Sequence, residues 1–192
     1  MICNSGYFQN LKKQLNNLSK STAIHSTLIL DDRSSCKFKK TSNQGSSVQQ
    51  GLKIIKKNII QEENYWKISA AHDGYLKKFG LIHEREIEFY PEQKKFVGFD
   101  KISNKSLSKN TKFDIRFHLH PNTKVMKTQD NRSILIELED EGWKFTCNNF
   151  DINIDNSLYF GNKNSYKENR NIFISGITNM PDQVIKWEIT KL

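Results

Sequence analysis

Proton transfer, metal binding and anion capture draw on a short list of side chains, and this 192-residue chain offers five histidines for them. Two lie close together. Asp114, Arg116, His118 and His120 alternate with Phe113, Ile115, Phe117 and Leu119, the period of a strand with one buried face. The polar four are therefore expected on the other face. There a carboxylate, a guanidinium and two imidazoles would bind an anion or a metal, with Arg116, His118 and His120 as the substrate-binding candidates. The bland alternative is a polar strand face that points at water or packs under a loop.

His72-Asp73-Gly74-Tyr75 closes one strand-like run and opens a turn. Asp and Gly suit the turn, and His72 and Tyr75 are groups able to move a proton or bind substrate; an incidental turn has the same composition. His83 alternates with Leu81, Arg85 and Ile87 and reads as a half-buried sheet residue without a role. His25 heads the apolar run 23–30, which ends at Asp31-Asp32. Neighbours on a strand point to opposite faces, so His25 and Ser26 do not share a proton, which disfavours a Ser-His hydrolase. A metal ligand or a structural histidine are the readings left for His25.

The elements that position these groups are mostly strands. Period-two runs occur at 65–68, 81–90, 95–102, 113–119, 134–138, 143–147, 150–154, 172–174 and 184–189, with 134–147 forming a hairpin through the turn at 140–142. Their regular spacing predicts an all-β antiparallel sandwich. Helix is expected only over 8–18, where Phe8, Leu11, Leu15 and Leu18 share one face. The stretch 52–60 fits a strand beside other strands, and 41–50, without apolar periodicity, reads as a surface loop. No internal repeat is present.

Composition removes several classes. No apolar run approaches the roughly 18–20 residues that span a bilayer, and the first residues have neither the basic nor the apolar region of a signal peptide. Cys3, Cys36 and Cys147 are too sparse and too far apart for a disulfide framework or a cysteine zinc site. The net charge of +9 is unevenly placed: residues 1–60 carry ten basic and two acidic side chains, the remainder twenty and nineteen. Such a patch attracts any polyanion. Charge alone does not separate nucleic acid from other polyanions, but residues 37–60 contain Phe38 as their one aromatic, so base-stacking groups are scarce there and nucleic acid is disfavoured.

The segments AHDGYLKKFGLIHERE (71–86), FVGFDKI (96–102), FDIRFHLHP (113–121), EGWKF (141–145) and VIKWEI (184–189) resemble, in order and spacing, the C-terminal β-domain of the heparinase II/III-like family. MICNSG and STAIHSTLILDDRSSCKF (21–38) are similar to that family as well. The resemblance implies that 1–192 is one β-sandwich module which in the family follows an α/α toroid. It implies a polysaccharide lyase that cleaves uronic-acid-containing polymers by β-elimination, in the periplasm or cell envelope. A basic cleft there neutralises the uronate, and a His or Tyr removes the adjacent ring proton. His25 matches a zinc-binding His of the family, and Asn4 stands where members carry a zinc-binding Asp; a neutral amide is the poorer ligand. The family's remaining zinc His and its catalytic His belong to a segment expected upstream of Met1, and its catalytic Tyr to the toroid. The alternative expectation is a non-catalytic carbohydrate-binding or structural sandwich.

Overall fold

A computed structural model describes residues 1–7, 13–40, 46–105, 110–162 and 165–192. The expected antiparallel sandwich is present. Its smaller sheet has β9 (Thr111–Leu119) at the centre, with β14 (Ser165–Thr178) and then β13 (Ile152–Asn162) on one side. Two short strands, β1 (Ile2–Cys3) and β2 (Leu28–Leu30), share the other side of β9 end to end. The larger sheet has eight strands in the order β10 (Lys124–Lys127), β11 (Ser133–Glu137), β12 (Gly142–Cys147), β15 (Asp182–Lys191), β8 (Lys95–Asn104), β7 (Leu81–Tyr90), β6 (Trp66–His72) and β5 (Ile54–Gln61). A separate hairpin joins β3 (Lys37–Lys40) to β4 (Ser46–Gln50).

The period-two patterns explain why these residues pair as they do. Phe113, Ile115, Phe117 and Leu119 of β9 all point into the core, where they meet Phe145, Ile185, Trp187 and Ile189 of the larger sheet. In register, Ile87 of β7 faces Gly98 of β8, which faces Trp187 of β15. A β-carbon at Gly98 would stand 2.0 Å from the Trp187 ring, so the missing side chain makes room for the indole. On the opposite face of the same strands, Lys67–Glu86, Lys95–Glu188 and Lys186–Glu188 form ion pairs at 2.9, 2.7 and 2.7 Å, the polar ladder of a solvated sheet face.

The hairpin at 134–147 and the strand at 52–60 form as expected, the latter as β5. Two expectations are corrected, and a third is met over the residues described. The loop expected over 41–50 is partly sheet, because residues 46–50 pair with β3; residues 41–45 lie outside the described residues. The helix expected over 8–18 is described as α1 (Lys13–Leu18), with 8–12 outside the described residues. The run 23–30 is not one strand, since Thr22–Ile24 forms a 3-10 turn, His25 caps it in extended conformation, and β2 begins at Leu28. A second short helix, α2 (Leu76–Phe79), follows the turn at 73–75 and ends on Gly80 at φ 69°, whose N–H returns to the Leu76 carbonyl. Among the described residues, no helix is long and apolar enough to cross a membrane.

Candidate polyanion-binding groove and its supports

The β2–β3 connection begins with a tight turn. Asp31 and Asp32 both have positive φ, 45° and 54°, and the Arg33 N–H bonds the Leu30 carbonyl at 2.8 Å, which is a type I′ turn built without glycine. The turn throws Arg33 outward beside α2. Two clefts share this corner. One, of about 620 Å³, is lined by Arg33, Lys78 and Lys112 but also by Asp31, Asp32 and Asp114, so its charges balance. The other, of about 560 Å³, holds Arg33, Lys37, Lys77 and Lys78 with Ser34, Ser35 and Gly74, and no carboxylate. None of those four cations makes an ion pair among the described residues. Four unpaired cations around one cleft repel each other and are relieved by a multivalent anion.

Of the turn His72–Tyr75, Gly74 lines this cleft. A β-carbon at Gly74 would meet Ser35 at 2.9 Å, so glycine lets the turn seat directly on the β2–β3 connection. Tyr75 is buried, and its hydroxyl donates to the Leu28 carbonyl at 2.9 Å; burial raises its pKa further. The hydroxyl ties α2 to β2 and does not face the cleft's solvent. His72 is half-buried, and burial, then the neighbouring His83, lowers its pKa to about 4.

Hydrogen bonding fixes the proton positions behind His72. The Gly74 N–H donates to His72 Nδ1 at 3.2 Å, so His72 carries its proton on Nε2 and donates to His83 Nδ1 at 3.3 Å. His83 then donates from Nε2 to Asp100 Oδ1 at 2.6 Å. Asp100 is fully buried and also accepts from Arg85 Nε at 2.8 Å, Arg85 Nη2 at 3.1 Å and Trp187 Nε1 at 2.8 Å. Burial works to raise the Asp100 pKa, but the Arg85 guanidinium and the His83 bond outweigh it and hold the carboxyl well below the ordinary range. Arg85 lies over the rings of Phe117 and Trp187 at 5.5 and 5.9 Å and donates Nη1 to the Ser26 carbonyl at 2.5 Å. One buried charge pair therefore links both sheets to the N-terminal segment and the cleft.

At the far end of β9 the expected polar row divides. Arg116 binds Asp114 at 3.0 Å and Asn171 at 3.3 Å and lies 5.3 Å from the Phe173 ring centre, on the outer face of the smaller sheet. His118 shares that face but is 1% exposed, because residues 3–6 and the turn 22–24 lie over it. Its Nε2 donates to the Ala23 carbonyl at 3.0 Å, which leaves Nδ1 to accept from the Ser157 and Ser5 hydroxyls at 2.9 and 3.2 Å. Burial, with added repulsion from Arg116 and His25, lowers its pKa to about 4. His120 lies past the strand end, exposed, 5.6 Å from the Tyr159 ring centre. His72 and Tyr75 flank Gly74, which lines the cationic cleft, without lining it themselves, and Arg116, His118 and His120 lie away from it.

His25 is half-buried, and burial lowers its pKa. Asn4 is exposed, with its amide oxygen accepting from the Ser26 N–H at 3.2 Å. Among the described residues no three His, Cys, Asp or Glu side chains converge. His25 and Asn4 offer at most a pair of donors, which does not fit a tetrahedral zinc without ligands from elsewhere.

Sequence reasoning missed His83, which is fully buried rather than half-buried, and with it Arg85, Asp100 and Trp187. Their one signal was an Arg and an Asp interrupting otherwise apolar inward positions. Of the cleft's cations, Arg33 and Lys37 belong to the basic first sixty residues, whereas Lys77 and Lys78 lie outside them and carried no signal.

Comparison with known proteins adds family and fold. The family described as "Heparinase II/III-like, C-terminal" matches residues 1–188. The heparan sulfate lyase HepC from Pedobacter heparinus has similar structure, with a TM-score of 0.72 at 13% identity, over 93% of this chain and 25% of that one. A solved heparinase III gives a TM-score of 0.65 at 12% identity, over 97% and 26%. FtsZ-localized protein C of Caulobacter vibrioides is 26% identical over 133 residues, 65% of this chain and 23% of that protein. The chain thus spans about a quarter of the length of these relatives.

Proposed function

Because the chain belongs to the heparinase II/III-like, C-terminal family, we propose that it is the β-domain of a polysaccharide lyase and supplies the cationic wall against which an acidic polysaccharide lies. The observation that carries this reading is the carboxylate-free cleft of Arg33, Lys37, Lys77 and Lys78. In β-elimination on a uronic acid, cations near the substrate carboxylate offset its charge and make the adjacent ring proton more acidic. The cleft's cations serve that offset and hold the polymer, while the Asp100–Arg85–His83–His72 chain fixes the turn behind them. The base that removes the proton belongs, on this reading, to an α/α toroid that forms the opposite wall. A zinc at His25 and Asn4 is part of the proposal only as an ion completed by ligands from outside this chain. The periplasm or cell envelope, where such polymers are met, is the proposed compartment.

Titration calorimetry with a uronate polymer, a neutral dextran and duplex DNA at one salt concentration tests the reading. The uronate polymer is expected to bind tightest, and Arg33→Glu/Lys78→Glu to weaken it about tenfold or more. Equal affinity for dextran, or no effect of the charge reversal, would sink the polyanion cleft. Tighter DNA binding would move the protein to the nucleic-acid class. Adding a family toroid and monitoring unsaturated uronate tests the lyase step, and absence of product from any acidic polysaccharide overturns it.

A further inference from the structure

We propose that the hairpin of β3 and β4 is an arm that continues the cationic cleft outward, with Lys39 and Ser47 holding the next acidic unit of a bound polysaccharide; this rests on the reading of the cleft as a polyanion site. The hairpin joins neither sheet of the sandwich. Its described side chains, those of residues 37–39 and 47–50, are all exposed, so none of them builds the core. A two-stranded hairpin by itself is marginally stable in water, and what this one adds to the molecule is therefore surface. At its base Lys37 pairs with Gln50, and both line the carboxylate-free cleft beside Arg33, Lys77 and Lys78.

The register decides which face of the arm continues the cleft. Gln49 is the extra residue of a bulge in β4, between the pairs Lys37–Gln50 and Phe38–Val48. β3 itself is regular, so Lys39 stands on the same face as Lys37, about 7 Å further along. Ser47 is its cross-strand partner, while Phe38 and Val48 pair on the other face. Lys39 has no ion pair among the described residues. Residues 33–61 contain no Asp or Glu, so the arm brings no carboxylate of its own to compete for an anion. The track leaving the cleft thus offers an ammonium and a hydroxyl and no aromatic ring. A sugar acid finds partners there for its carboxylate and its hydroxyls, whereas a nucleic-acid base finds nothing to stack on.

Displacement titration calorimetry with galacturonate dimer and decamer at one salt concentration tests the arm. The decamer is expected to bind more tightly than the dimer. Lys39→Glu and Ser47→Glu should each weaken the decamer about threefold to tenfold and leave the dimer unchanged. Val48→Glu changes the net charge as Ser47→Glu does but on the other face, and should leave both ligands unchanged; all three positions are exposed, so circular dichroism should not move. Arg33→Glu/Lys78→Glu should weaken both lengths. If that double variant weakens both but the decamer is no tighter than the dimer, or ignores Lys39→Glu and Ser47→Glu, or loses as much with Val48→Glu, the arm is overturned and the cleft stands. Loss of dimer binding in Lys39→Glu overturns the outward placement. If Arg33→Glu/Lys78→Glu moves neither length, the cleft reading falls and the arm with it. An oligothymidylate decamer that binds more tightly than the galacturonate one overturns the choice of ligand.

Discussion

Replacing Asp100 by Asn tests whether the buried charge pair holds the two sheets together. Asp100 is fully inaccessible and accepts four hydrogen bonds, at 2.6, 2.8, 2.8 and 3.1 Å, from His83, Arg85 and Trp187. The amide keeps the shape but turns one acceptor into a donor aimed at N–H groups, and it leaves the Arg85 guanidinium in a largely apolar setting without its counter-charge. Breaking a buried pair by removing one partner costs roughly 3–5 kcal/mol. For a chain of this length that is a fall in Tm of about 10 °C. Urea unfolding at pH 7 followed by tryptophan fluorescence is a suitable assay, because Trp187 sits on the substituted group. Asp100→Leu/Arg85→Met removes both charges and should recover a good part of the loss, since apolar replacement of a buried pair is often neutral or better. A loss below about 1 kcal/mol for Asp100→Asn, or a double variant no better than the single one, would refute the reasoning.

Two further outcomes follow from the same geometry. His72 and His118 have pKa values lowered to about 4 in the folded chain against 6.5 unfolded, so below 6.5 the unfolded state binds more protons. Stability should be full above pH 6.5, fall as the pH drops toward 4 by about 3 kcal/mol for each histidine, and flatten with respect to these groups below that; urea midpoints at pH 7, 5.5 and 4 check it, and a flat profile contradicts it. Asp32→Gly should stabilise by about 0.5–1 kcal/mol, because residue 32 holds φ 54° and its side chain is exposed, and calorimetry should show a Tm raised by a few degrees.

The strand set was legible because period-two alternation is a local property: Phe113 to Leu119 and Ile134 to Ile136 state their buried face in the sequence itself. Asp114 and Arg116 were likewise placed on a common polar face, and the register confirms their shared side. Alternation does not say what covers a face, so His118 lost its solvent to residues 3–6 and 22–24, far away along the chain. His83 looked ordinary for the same reason. Its partner Asp100 lies seventeen positions on, and only the pairing of β7 with β8 brings the two together.

The sequence by itself determined the fold class, the family resemblance and the concentration of positive charge in the first sixty residues, because composition and short-range periodicity are carried by the chain without folding. Tertiary structure decided which cations share a cleft, which histidines are sealed from protons, and which strand ends the larger sheet. Each of those depends on contacts between segments tens of residues apart, formed only when both sheets close on one core.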